Sequence, residues 1–164
     1  MFIGTKELFD GVYKNEDGLL LVAGEKGKTN PMTIGWVSTG IIWRRPVLVI
    51  LVRHNRFTYS LMNNKEWAVC IPKDGEYKKE LAICGSKSGR DIDKFKECGF
   101  IREDAHNINV DIPNMRGIIY ECKTIYENDM DPNLLDEEIE RTVYNIDRNH
   151  HKIFFGEILD MYEK

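Results

Sequence analysis

The chain has 164 residues, of which 42% are hydrophobic and 30% are charged, and its formal net charge at pH 7 is -4. This composition excludes a disordered or fibrous chain, and the length fits one domain, over residues 1–164, with a core of its own. The acidic balance argues against nonspecific nucleic-acid binding, because phosphate backbones are neutralised by basic surfaces.

The cysteines and the apolar runs bear on the cellular compartment. No C-x-x-C pair occurs among the four cysteines, which are Cys70, Cys84, Cys98 and Cys122. Their spacing predicts no structural zinc site and no redox dithiol, and it favours reduced thiols in a cytoplasmic protein. No apolar segment typical of a signal peptide occurs in residues 1–10, and the longest apolar run, 46–52, is too short to span a membrane.

The N-terminal half of the chain has the pattern of a mainly β structure. Apolar and β-branched runs predict strands at 19–23, 32–38, 47–52 and 67–71. A helix is predicted at 56–64, with Asn55 as its N-cap, because apolar side chains there recur one helical turn apart.

Helices are predicted in the middle of the chain, and strands close it. The predicted helices cover 77–84, 91–98 and 136–144, and the predicted strands cover 117–126 and 152–162. Gly99 fits the C-cap of the second of these helices. Regular βαβ alternation is missing, so the pattern favours a mostly antiparallel β-barrel with peripheral helices over a doubly wound sheet. The excursion at 128–148 has no assigned role.

One segment combines glycines, hydroxyls and cations just ahead of the helix predicted at 91–98. It reads Cys84-Gly85-Ser86-Lys87-Ser88-Gly89-Arg90-Asp91. Glycines let backbone N–H groups turn inward, hydroxyls donate hydrogen bonds and the cations supply charge, which together suit a phosphate monoester. The segment is not a Walker A motif, and a polar surface turn is the alternative interpretation.

A second segment, Asn30-Pro31-Met32-Thr33-Ile34-Gly35-Trp36, mixes polar groups with soft, flat apolar ones. A planar heteroaromatic ligand with polar edges needs this mixture. The alternative is a strand that enters the core behind an Asn-Pro turn.

A third segment, 53–59, lies where the most apolar predicted strand passes into a helix. Helix starts attract anions, and Arg53, Arg56 and Thr58 would complement the free N–H groups there. The alternative is that both arginines are solvated and Asn55 is a plain helix cap.

Two further features contain side chains that often take part in catalysis, namely a histidine pair and Cys84. His150 and His151 are adjacent on a predicted strand, so their side chains point to opposite sides and would not hold one metal ion. One histidine could hydrogen-bond a ligand, or both could be surface residues. Cys84 beside Lys87 and Arg90 could be a thiol of lowered pKa, although no spacing selects a base for it and it also fits the inward face of its helix.

Together these segments resemble the flavin reductase-like family of FMN-binding split barrels, particularly its flavoredoxin-type members. The similarity runs from about Gly18 to Tyr162. It depends on the segments 30–36, 53–59 and 84–91 with Lys94, and on His151 ahead of Phe155-Gly156-Glu157.

The resemblance implies a six-stranded antiparallel barrel of Greek-key type that binds FMN noncovalently, as a homodimer with the flavin near the interface. The residues placed along the flavin ring are Asn30, Met32, Thr33, Ile34 and Trp36. Those that would reach the ribityl chain and phosphate are Arg53, Asn55, Arg56 and Thr58. Those that would complete the phosphate pocket are Ser86, Lys87, Ser88, Gly89 and Arg90, and Cys84, Gly85 and Lys94 also belong to the implied cofactor site. No metal is implied.

The implied activity is electron transfer from NADH or NADPH through FMN to free flavin or to a redox partner, with His151 near the pyridine nucleotide. Two residues depart from the family pattern: Asn55 replaces a frequent Ser, and Asn149-His150-His151 replaces the Gly-Asp-His of many nicotinamide-dependent members. The alternatives are an electron carrier that is reduced by a protein partner, and a sensor module that binds flavin or heme without turnover.

Overall fold

The structure, a computed structural model, describes residues 18–73 and 75–164, together with Lys6. Its strands are β1 (Leu19–Ala23), β2 (Asn30–Ile34), β3 (Val37–Ile42), β4 (Arg45–Arg53), β5 (Glu66–Pro72), β6 (Arg102–Asp104), β7 (Asp111–Pro113), β8 (Gly117–Asp129) and β9 (His151–Glu163). Its α-helices are α1 (Phe57–Leu61), α2 (Lys78–Ser86), α3 (Lys94–Cys98) and α4 (Glu137–Val143), and 3-10 turns cover Met62–Asn64 and Pro132–Leu134. The signal-peptide expectation concerns residues 1–10, which apart from Lys6 lie outside this description.

Seven of the strands form one antiparallel sheet in the order β2-β1-β5-β8-β9-β4-β3. The two edge strands, β2 and β3, are joined in sequence by only Gly35 and Trp36. A connection of that length spans about 10 Å, so the edges lie close together and the sheet curls into a barrel. No ladder pairs β2 with β3 among the described residues, so the barrel is split along this line.

The mainly β fold class with peripheral helices is confirmed, but the strand count of six needs a correction. The sheet has seven strands because the chain leaves the ladder at Gly35 and Trp36, which divides the strand predicted at 32–38. If 30–42 is taken as one strand bent at these residues, six strands surround the barrel. Their order is then of the predicted Greek-key type. The bent strand pairs with β1 at one end and with β4 at the other, and the next long strand in the chain, β5, lies beside β1 rather than beside β4.

The residues of β1 show how the core is divided. Leu19 and Leu21 belong to a cluster on the inner face of the sheet, whereas Leu20 and Val22 belong to a second cluster on the outer face. Side chains alternate between faces along a strand, so a fully apolar run is explained by burial on both sides. The outer cluster is covered by α2, by α3 and by the hairpin of β6 and β7.

A large aromatic side chain fills the inner face. Trp67 is fully buried, and its indole N–H donates to the hydroxyl of Thr124 over 2.9 Å. A Cβ on Gly156 would lie 2.3 Å from the Trp67 ring, so the glycine on β9 makes room for it.

Two helices begin later than predicted, α1 by one residue and α3 by three, for local reasons. α1 begins at Phe57 with Arg56 in the N-cap position and no side-chain cap, because a turn from Arg56 N–H to Arg53 O delays the start past Asn55. α3 begins at Lys94 rather than at residue 91, since the Asp93 carboxylate accepts from the backbone of the first turn.

The remaining helix and strand predictions agree with the structure to within three residues at their ends, and Gly99 is the C-cap of α3 with φ 68°. The sequence did not predict the hairpin of β6 and β7. No helix in the described part of the chain is long and apolar enough to cross a lipid bilayer.

Candidate functional site

All of the predicted site residues line two adjoining cavities. The first, here the His151 cavity, has a volume of about 160 Å³ and is lined by Met32, Thr33, Ile34, Gly35, Trp36, Leu51, Val52, Arg53, Arg56 and His151. The second, the Lys87 cavity, has a volume of about 140 Å³ and is lined by Asn30, Met32, Asn55, Arg56, Phe57, Thr58, Cys84, Gly85, Ser86, Lys87, Ser88, Gly89, Arg90 and Lys94. Met32 and Arg56 line both, so the two cavities lie side by side.

The His151 cavity lies where the chain crosses between the two edges of the barrel. Trp36 is 44% exposed there, and its ring centroid lies 4.8 Å from that of His151 with the planes tilted by 44°. Met32 on β2 is buried beside it. Indole, imidazole and thioether thus supply flat and polarisable surface next to backbone from β2 and β4.

His151 is uncharged at neutral pH. It is only 8% exposed, and burial, reinforced by the positive charges of Arg53 and Arg56, lowers its pKa from 6.5 to about 4. Its Nδ1 lies 2.6 Å from the hydroxyl oxygen of Tyr144. The side chain therefore takes part in hydrogen bonds as a neutral imidazole.

Arg53 lines the His151 cavity, but its guanidinium is already engaged. Nη1 lies 3.1 Å from both carboxylate oxygens of Asp147, and Nη2 donates to the Val143 carbonyl over 3.5 Å. The positive charge of Arg53 therefore acts on the cavity at short range. The N–H groups of its guanidinium bond to α4 and to the residues that follow it.

The Lys87 cavity is cationic within an acidic protein. Four cations line it, namely Arg56, Lys87, Arg90 and Lys94, and no carboxylate is among its lining residues. Arg56 and Lys87 are exposed, and their side chains make no hydrogen bond or ion pair within 18–73 and 75–164. Such unpaired charges are free to neutralise a bound anion.

The backbone of this cavity is held by the C-terminal end of α2. The Lys87 N–H donates to Ile83 O, and the Ser88 hydroxyl oxygen accepts from the Arg90 N–H over 3.2 Å. Lys94 is buried, and its ammonium group donates to the Cys84 carbonyl over 2.7 Å. Burial lowers the pKa of Lys94. Lys94 therefore ties α3 to the end of α2.

Close packing joins three separate segments around the cavity. The Asn30 amide on β2 donates to the buried Thr58 hydroxyl of α1 over 2.9 Å. A Cβ on Gly89 would lie 2.1 Å from Asn30 Oδ1 and 2.6 Å from a ring carbon of Phe57. The loop after α2 thus reaches this place only because residue 89 is glycine.

The side chains of several residues predicted to bind the ligand already make hydrogen bonds within the protein. The Thr33 hydroxyl donates to Leu81 O over 2.6 Å, and the Ser86 hydroxyl donates to Ala82 O over 2.7 Å. The guanidinium of Arg90 donates to Asn55 O over 3.3 Å and lies 5.5 Å from the centroid of the Phe57 ring. The oxygens of Thr33 and Ser86 still have lone pairs that can accept.

Burial argues against the alternative of a nucleophilic Cys84. Its side chain is buried, with its sulfur 3.8 Å from that of Cys98, and burial raises its pKa to about 12. At neutral pH the thiolate is therefore almost absent, and Lys87 and Arg90 do not overcome the desolvation.

Comparison with known proteins agrees with this geometry. A family model described as the flavin reductase like domain matches residues 13–164. The chain belongs to this family. No curated protein sequence matches it at a significant level.

Solved structures show the same fold. A flavoredoxin from Methanosarcina acetivorans is 25% identical to this flavin reductase-like chain, with TM-score 0.68 over 89% of this chain and 67% of that one. An FMN-binding protein from Thermus thermophilus is 18% identical, with TM-score 0.68 over 88% and 68%. A Streptomyces globisporus NADH:FAD oxidoreductase is 13% identical, with TM-score 0.66 over 90% and 75%. The split-barrel fold and the resemblance to flavoredoxin-type proteins are thereby confirmed.

The donor set of this flavin reductase-like domain fits FMN. A phosphate monoester dianion requires cations and N–H or O–H donors with no carboxylate in contact with it, and the lining of the Lys87 cavity meets this requirement. A flavin ring requires flat apolar surface with polar groups at its edge, as the His151 cavity provides. The fit covers both ends of the ligand, and the individual residue roles stay predictions.

Sequence reasoning missed Leu51, Val52 and Phe57 as lining residues, and it missed Tyr144 beside His151. The first three sit in runs that indicate a core. Tyr144 follows an acidic helix, and no local signal relates it to a histidine on the next strand. Among the described residues, no group of three or more His, Cys, Asp and Glu side chains could hold a metal ion.

Proposed function

We propose that the chain is an FMN-dependent oxidoreductase that accepts hydride from NADH or NADPH and passes electrons to free flavin or to a redox partner. The observation that carries the proposal is that the two cavities adjoin at Met32 and Arg56. The His151 cavity offers flat, polarisable surface for the flavin ring, and the Lys87 cavity offers unpaired cations for the phosphate. The two cavities are neighbours, as the ring and the phosphate are the two ends of one FMN molecule.

Each end of the ligand would be bound by different chemistry. Arg56 and Lys87 would neutralise the phosphate, and the hydroxyls of Thr58 and Ser88 would donate to it. Met32 and Trp36 would pack against the ring. Bound FMN would supply the capacity to accept a hydride and release electrons, while the protein supplies position and electrostatics.

The role proposed for His151 is to contact the nicotinamide donor or the ring edge as a neutral hydrogen-bonding group. A charged imidazolium is disfavoured there by burial and by the two neighbouring arginines. Placement of a hydride donor needs no general base, because the hydride leaves the nicotinamide with its electron pair.

We also propose that the protein is a homodimer. Trp43, Tyr126 and Phe155 form an aromatic cluster with ring centroids 5.3–6.2 Å apart, and Trp43 is 57% exposed. Ile41, 62% exposed, lies on the neighbouring edge strand β3. Exposed aromatic patches of this kind are typical of protein interfaces.

An absorption spectrum tests the cofactor, and steady-state kinetics test the donor. The protein, mixed with FMN and freed of excess, should retain flavin bands and oxidise NADH or NADPH when free flavin is supplied. Loss of all flavin on desalting would contradict the proposal. A flavin-loaded protein inert to both donors would instead favour the electron carrier or the sensor.

Light scattering after gel filtration tests the homodimer. The wild-type chain should have twice the mass of one chain, and Trp43→Glu should shift it toward the monomer. A wild-type monomer at the highest soluble concentration would contradict a dimer through this patch.

A further inference from the structure

The segment between β8 and β9 leaves the barrel and returns to the same place. The ladder between the two strands continues as far as Asp129 and Lys152, and the Met130 N–H donates to His151 O over 3.0 Å. Between these points the chain forms the 3-10 turn and α4, whose first turn is capped by the Asp136 carboxylate. The excursion therefore brings its own residues back against the end of β9.

Tyr144, directly after α4, is the most buried residue of this excursion. It is 1% exposed, its ring stacks on His150 at 4.4 Å, and the Arg53 guanidinium lies 5.4 Å from its centroid. Its hydroxyl oxygen lies 2.6 Å from Nδ1 of His151. One side chain of the excursion thus contacts His151, which lines the cavity named after it.

Two side-chain contacts to carboxylates hold α4 in this position. His150 Nε2 lies 2.6 Å from the Glu140 carboxylate, and Arg53 bridges to both oxygens of Asp147. These contacts bracket Tyr144 in the chain, so the ring is fixed from both sides rather than by its hydroxyl alone.

The direction of the Tyr144–His151 hydrogen bond follows from burial. Among residues 18–73 and 75–164, no other acceptor lies within hydrogen-bond distance of the Tyr144 hydroxyl. If Nδ1 carried the proton, it would donate to the phenol oxygen and leave a buried O–H without an acceptor, which is costly. The O–H therefore donates to Nδ1, and the imidazole proton resides on Nε2.

We propose that Tyr144 is a positioning residue that holds His151 as a neutral imidazole with its proton on Nε2, so that His151 acts as a hydrogen-bond donor. The functional part of this inference rests on the proposed function, because the receiving group would be a carbonyl of the flavin ring or of the nicotinamide. Burial raises the pKa of Tyr144, so the phenol stays protonated and able to donate.

Nuclear magnetic resonance of the whole chain with ¹⁵N-labelled histidine tests the tautomer without any cofactor. At pH 7 the His151 ring should show one proton coupled to Nε2 and none bonded to Nδ1. A proton bonded to Nδ1 would overturn the proposal outright. This result does not depend on whether the protein binds FMN.

The variant Tyr144→Phe removes the hydroxyl and keeps the ring. Because the hydrogen bond stabilises neutral His151, its loss should raise the His151 pKa by roughly half a unit to one unit. The charged or titratable groups that also act on this pKa are Arg53, Arg56, His150 and His54, and the variant leaves them in place. An unchanged pKa would contradict the proposal.

Tyr77→Phe is the matched control, since it removes a tyrosine hydroxyl that accepts from the Arg116 N–H on another part of the surface. It should leave the His151 pKa unchanged, and an equal shift would mean that the effect is not specific to Tyr144. In flavin-loaded protein, Tyr144→Phe should slow reduction by NAD(P)H with unchanged FMN affinity. Failure to bind FMN would refute the proposed function alone, whereas an unchanged reduction rate would refute the role of Tyr144.

Discussion

Gly89 and Asn30 approach each other more closely than any side chain on residue 89 would allow. A Cβ there would lie 2.1 Å from Asn30 Oδ1, and the Asn30 amide is in turn bonded to the buried Thr58 hydroxyl. Three segments far apart in sequence therefore meet at one glycine, and this contact shapes the Lys87 cavity.

We expect Gly89→Ala to disturb both the fold and the cavity. Overpacking a filled site costs roughly 1–3 kcal/mol, so the free energy of unfolding should fall by that amount. FMN affinity should fall as well, because the loop carrying Lys87 must move. Denaturant unfolding and FMN titration measure the two effects. Gly40→Ala is the control, since a Cβ on Gly40 meets nothing within 4 Å; similar losses in both variants would contradict this account.

Arg56→Ala and Lys87→Ala should each weaken FMN binding without unfolding the protein. Each removes an exposed cation that has no partner among the described residues, so the expected loss is about 1.5–3 kcal/mol, the size of a charge-assisted hydrogen bond. That loss corresponds to roughly 10- to 150-fold in Kd, measurable by fluorescence titration. The control is Lys96→Ala, an exposed lysine of α3 that lines neither cavity. Unchanged affinity in both cavity variants would refute the phosphate assignment.

The stability of the protein should fall as the pH drops from 6.5 to 4. The His151 pKa is about 4 in the folded state against 6.5 in its ordinary state, so the unfolded chain binds a proton first. The stabilisation that comes from keeping His151 neutral is therefore fully present above pH 6.5 and is lost as the pH falls from 6.5 to 4. It amounts to at most about 3 kcal/mol. Urea unfolding at several pH values should show a shallower dependence in His151→Gln than in wild type. His106→Gln, which alters an exposed histidine, should keep the wild-type slope.

The thiols should react slowly in the folded protein. Burial raises the pKa of Cys84 to about 12 and also raises the pKa of the half-buried Cys98. At pH 7, alkylation followed by mass spectrometry should label Cys98 first and Cys84 only slowly, with rates that increase with pH. The fully buried Cys70 and Cys122 should stay unlabelled until the chain unfolds. Rapid labelling of Cys84 at pH 7 would restore the nucleophile hypothesis.

Much of the fold was predictable because its signals are local. The run 19–23 is apolar at every position, and it is a strand buried on both faces. The helix starts predicted at residues 56 and 91 were early by one and three residues, because one backbone turn and one capping carboxylate, each a matter of one or two hydrogen bonds, decide where the helices begin. The hairpin of β6 and β7 is too short and too polar to give a periodic signal.

By itself the sequence determined which chemistry is present: hydroxyls, cations and glycines at 84–91, flat apolar groups at 30–36 and a histidine at 151. Only the tertiary structure decided that these segments line two adjoining cavities, that Arg53 is held by Asp147, and that Tyr144 reaches His151. The physical reason is that the local pattern of apolar and polar residues indicates only which face of each segment is buried in the core. Which side chains meet one another depends on how the sheet closes and where an excursion returns, and those contacts join residues that are distant in sequence.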